Sequence, residues 1–99
     1  MASGKHEETL AAYQKSLAIR QQLAERDKGN AGWQTDLVIG LVKVSTVAEP
    51  VQARAALTQA RAIDETLARE GKLTAGQQSW PQDLRERLAK LPPEQAEAR

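Results

Sequence analysis

Ala31-Gly32-Trp33-Gln34-Thr35-Asp36-Leu37-Val38-Ile39-Gly40-Leu41-Val42-Lys43-Val44-Ser45-Thr46-Val47 is the stretch on which the fold turns. Its centre, Leu37 to Val42, is short, apolar and β-branched, so propensity alone reads it as a buried strand. The wider spacing reverses that reading. Trp33, Leu37, Gly40, Leu41, Val44 and Val47 follow i, i+4, i+7, i+8, i+11 and i+14, which draws one stripe along a helix. Asn30 stands just before it, where a side-chain oxygen can cap the first free N–H groups.

Upstream, the residues from about His6 to Asp27 contain no Pro or Gly. Leu10, Ala12, Tyr13, Leu17, Ile19, Leu23 and Ala24 fall on one broad helical face, wide enough for two neighbouring helices. Gly29 follows at the place of a C-terminal cap glycine. Downstream, Pro50 suits the first turn of a third helix, because its missing N–H would have no partner there anyway. Ala53, Ala56, Leu57, Ala60, Ile63, Leu67 and Ala68 form its stripe, ending at Gly71, and the short connection around Glu49 makes helices two and three antiparallel neighbours. A fourth helix has two candidate starts, the capping-box spacings Ser79/Gln82 and Thr74/Gln77. It ends by Leu91, since Pro92-Pro93 cannot continue it. The expectation is an all-α chain: residues 1–5 a disordered N-terminus or a scar of cloning, residues 6–91 one helical domain, and residues 92–99 a frayed tail.

Composition narrows the function classes. Ninety-nine residues with a net charge of +1 create no field that would recruit nucleic acid or an anionic membrane. The longest uncharged apolar run, Leu37 to Val42, is far short of the ~20 residues a membrane helix needs. No cysteine is present, so disulfides, thiolate metal sites and thiol nucleophiles are out. The only histidine, His6, has no companion ligand or base. Gly71-Lys72 fails as a phosphate loop, because Thr66 and Leu73 stand where the pattern requires Gly and Ser/Thr. Glu7 and Glu8 are adjacent, point about 100° apart on a helix, and cannot work as an acid/base pair. Trp33 and Trp80 lie in no basic cluster and each leads an apolar stripe, which assigns both to helix interfaces. The expectation is therefore no catalytic, metal or cofactor-binding residue. With no signal sequence at its start, the chain is expected in the cytoplasm.

The chain also repeats itself. Ile19-Leu23-Ala24 recurs as Ile63-Leu67-Ala68 at an offset of 44, as do Ala12 and Ala18 in Ala56 and Ala62. Trp33-Gln34-Thr35-Asp36-Leu37 recurs as Trp80-Pro81-Gln82-Asp83-Leu84 at an offset of 47, so the second loop is three residues longer. Helices one and three are one kind of element, two and four the other, in the order B-A-B-A. On Tyr13 to Ile19 and Gly29 to Leu37 the chain resembles bacterial tetratricopeptide-like (TPR-like) repeats, a likeness that extends roughly over residues 8 to 91. The resemblance implies stacked antiparallel helix pairs serving as a protein-binding scaffold. Gly40 corresponds to Arg87, and Arg87 with Pro92-Pro93 would obstruct a further helix, which marks helix four as a terminal cap.

Two surfaces are candidates for contact with another protein or peptide. Val38, Ile39 and Val42 lie off the main stripe of helix two, either buried under helix one or forming a peptide groove or self-association surface. Leu10, Tyr13, Leu17 and Ala24 on helix one would have only one covering helix, an apolar patch suited to a weak, symmetric homodimer unless helix four folds back over it. Arg20, inside the broad face of helix one and aligned with Asp64, either pairs with Asp36 or lays its stem along apolar surface.

Overall fold

The segment Ala31–Val47 is helical from end to end in the computed structural model, which describes residues 2–91. It is the second of four helices: α1 (Ala2–Arg26), α2 (Ala31–Val47), α3 (Pro50–Arg69) and α4 (Trp80–Ala89). A single 3₁₀ turn, Ala75–Gln77, sits between α3 and α4, and the described residues contain no strand. The helical period wins over the β-branched composition because it buries Leu37, Val38, Leu41 and Val44 together while the helix satisfies its own backbone. Helix α1 begins at Ala2, upstream of the start expected near His6. Met1 and the expected frayed tail 92–99 lie outside the described residues.

The chain's own capping chemistry sets most helix ends. Asn30 Oδ1 accepts the Trp33 N–H at 3.0 Å, and Pro50 opens α3 in its first turn. Gly71 has φ +69°, the left-handed conformation that costs a side-chain-bearing residue strain. There the Lys72 N–H donates to Leu67 O at 2.8 Å and the Gly71 N–H to Ala68 O at 3.1 Å, the paired bonds of a Schellman cap. Gly29 does not play the same part: α1 ends at Arg26, and the Gly29 N–H donates to Asp27 Oδ1 at 3.2 Å in a local side-chain turn. Of the two candidate capping boxes, Thr74/Gln77 forms, with the Thr74 N–H donating to Gln77 Oε1 at 3.1 Å. Ser79 makes no cap bond. Its hydroxyl donates to Asp83 Oδ2 at 3.3 Å, and α4 starts at Trp80.

The helices stack in chain order, α1 on α2, α2 on α3 and α3 on α4. One core runs through the stack: Ala24 from α1, Leu37, Val38 and Leu41 from α2, Ala56, Leu57 and Ala60 from α3, and Leu84 from α4. The small alanines Ala56 and Ala60 of α3 are buried in that core. At Gly40 a Cβ would stand 3.2 Å from Arg20 Cδ and from Leu17 Cδ1, so α1 rests there on nearly bare backbone. Gln34 Nε2 donates to Ala24 O at 3.0 Å, which ties the start of α2 to the end of α1. Helix α4 packs on α3 and is not folded back over α1, so the stack stays open. No helix among the described residues is long and apolar enough to cross a membrane.

Candidate functional site

Helix α2 runs between α1 on one side and α3 on the other, and α4 lies beyond the connection from α3. That arrangement leaves a cleft of about 210 Å3 between α2 and α4, over α3. Val38, Ile39 and Val42 of α2 form one wall, and Trp80 and Leu84 of α4 form the other. Asp64 of α3 is at the bottom. Lys43, Asp83 and Arg87 complete the lining.

All three candidate partner-contact residues of helix two thus converge on one cleft. Helix α1 approaches α2 closely at Gly40, where an added Cβ would meet Leu17 and Arg20. Val38 is buried in the core, Val42 is half-buried, and Ile39 keeps 37% of its surface exposed at the cleft.

The α1 candidates separate. Ala24 is only 3% exposed and belongs to the core, because the last turn of α1 seats it against the core residues of α2 and α3. It therefore has no surface to offer a second copy. Leu17 packs against the core from the side, and Leu10 and Tyr13 are half-buried. Arg20 Nη1 donates to the backbone carbonyl of Asp36 at 3.3 Å, so the pairing is with Asp36 but not with its carboxylate.

Both tryptophans, assigned from the sequence to helix interfaces, are half-buried rather than fully covered. Each stands in the first turn of its helix. Trp80 packs on the core and walls the cleft.

Asp64 is the residue that motif reasoning passed over. It is 0% exposed, and neither carboxylate oxygen has a hydrogen-bond partner among the described residues. Burial pushes its carboxyl from the ordinary 3.8 up to about 6. A signal for it does exist in the sequence. Ala53, Leu57, Ala60, Asp64 and Leu67 continue one helical stripe, and an acid in that register must either be buried or break the packing. Across the interface, Glu65 is bonded to Arg61 at 3.1 Å and lies 3.9 Å from Arg85, an exposed link between α3 and α4.

A second, wider groove of about 550 Å3 lies between α1 and α3 over α2. Gln21, Glu25, Lys28, Gln34 and Glu70 line it together with the apolar Leu37, Ile63 and Leu67, and none of its described lining residues has a buried unpaired polar atom to direct a ligand. No set of three His, Cys, Asp or Glu side chains able to hold a metal ion occurs among the described residues. No known protein family, no curated protein and no solved structure matches this chain.

Proposed function

We propose that this chain is a non-enzymatic protein-interaction module of TPR-like type, which docks a peptide or protein segment in the cleft between α2 and α4. The observation that supports it most is the apolar wall of that cleft: Ile39 stays partly exposed beside Val42, opposite Trp80. A purely structural terminal cap would present a polar inner face, whereas these residues leave apolar surface open to a guest. The reading carries a cytoplasmic, bacterial setting, with neither cofactor, nucleic acid nor membrane involved.

Panning the chain against a random peptide library displayed on phage tests this. Enriched peptides should bind the wild type and lose roughly tenfold or more in affinity to Ile39→Asp, a change at a partly exposed position that leaves the core intact. Enrichment of nothing, or of peptides indifferent to Ile39→Asp, would leave the cap reading.

The open stack favours a second reading, a weak homodimer. Helix α1 has α2 as its one extensive neighbour, and Leu10, Tyr13 and Leu17 are incompletely covered. Sedimentation equilibrium should then show an average mass rising above that of the monomer with concentration. A strictly monomeric mass over the whole range excludes it.

A further inference from the structure

We propose that the cleft between α2 and α4 is an anchor pocket for a single arginine side chain of the docked polypeptide, with the Asp64 carboxylate as its counter-ion. This deepens the docking reading and rests on it.

The first argument is the unmet charge. Asp64 is fully buried, and both of its oxygens lack a partner among the described residues. An isolated carboxylate in such a place costs free energy until a cation meets it. Lys43 and Arg87 line the same cleft, but neither bonds to Asp64, and both are exposed. The charge left without compensation is the carboxylate's.

The second argument is shape. The cleft holds about 210 Å3, below the ~300 Å3 at which pockets for whole small molecules begin. One side chain fits it better than a cofactor. Val38, Val42 and Leu84 line it with apolar groups suited to a methylene stem, and the half-buried Trp80 places an indole, a partner for a planar cation, in the same lining.

The third argument selects arginine over lysine. Two unpaired oxygens on one carboxylate match the two parallel N–H groups of a guanidinium. A guanidinium also keeps its proton in an apolar site, where an ammonium tends to lose it. Because the Asp64 oxygens are closed to water, the guest meets them when the carboxylate turns toward the cleft.

The test is a titration of the 15N-labelled chain with N-acetyl-arginine methylamide, followed by NMR. Its citrulline counterpart, nearly isosteric and neutral, serves as control. Saturable shifts are expected at the Trp80 indole N–H, at the Val38–Val42 amides and at Asp64, with millimolar affinity for arginine and none for citrulline. Asp64→Asn should lower that affinity roughly tenfold or more, while its amide spectrum shows the fold retained. Equal binding of citrulline, unchanged affinity in Asp64→Asn, or shifts confined to other helices would each overturn the assignment. Displayed peptides that depend on Ile39 but neither contain arginine nor respond to Asp64→Asn would overturn it too, and would leave the docking reading standing.

Discussion

Leu41→Ala should lower the free energy of unfolding by about 2–5 kcal/mol, the cost of removing a fully packed leucine together with the cavity it leaves. Leu41 is 2% exposed, sits at the middle of α2, and belongs to the cluster that joins all four helices. A chain of this size is stable by only about 5–15 kcal/mol, so the substitution removes a large share of the total. Urea unfolding at a common slope measures it. Ile19→Ala, on the same scale, is the control: Ile19 is 61% exposed, and a surface truncation of this kind stays within about 0.5 kcal/mol. A loss at Leu41 below about 1 kcal/mol would mean that α1 and α3 do not close on α2 as described.

Asp64→Asn should do the reverse and stabilise the chain at neutral pH. The native carboxyl titrates near 6 and the unfolded one near 3.8. Between those values the folded state holds the proton more tightly, so stability is greatest below the unfolded value and falls as pH rises through 6. The whole difference is worth roughly 3 kcal/mol, and above pH 7 it is fully lost. Asparagine resembles the protonated acid and never carries the charge. The variant should therefore exceed the wild type by an amount of that order at pH 7.5 and match it near pH 4, where other carboxylates titrate alike in both proteins. Urea melts at several pH values give the difference directly. A gap between the two proteins that does not change with pH would show that Asp64 is hydrated or paired in solution. A buried charge that lowers stability also fits a pocket whose guest supplies the missing partner, since groups arranged for binding are commonly costly to the free fold.

The four helices and most of their ends were legible in the residues alone. A 3.6-residue stripe, a capping Asn30, Pro50 and the turn glycine Gly71 are local devices, and local sterics and hydrogen bonding act whatever the neighbours are. Periodicity also put Val38, Ile39 and Val42 on a face apart from the main stripe of α2. What it could not decide was which helix that face meets, because a side chain's direction about its own axis says nothing of the axis placed beside it. Packing answered that. Helix α1 settled on Gly40, leaving Val38, Ile39 and Val42 to face α4 across a cleft. The same packing drew Ala24 into the core, left Trp33 and Trp80 half covered at the stack's edge, and passed the cap role from Gly29 to an Asp27 side-chain turn. It also turned Asp64 from one acid among thirteen into a dry, unpaired carboxylate. Burial and desolvation belong to the set of atoms surrounding a group, and that set exists only once α2, α3 and α4 have come together.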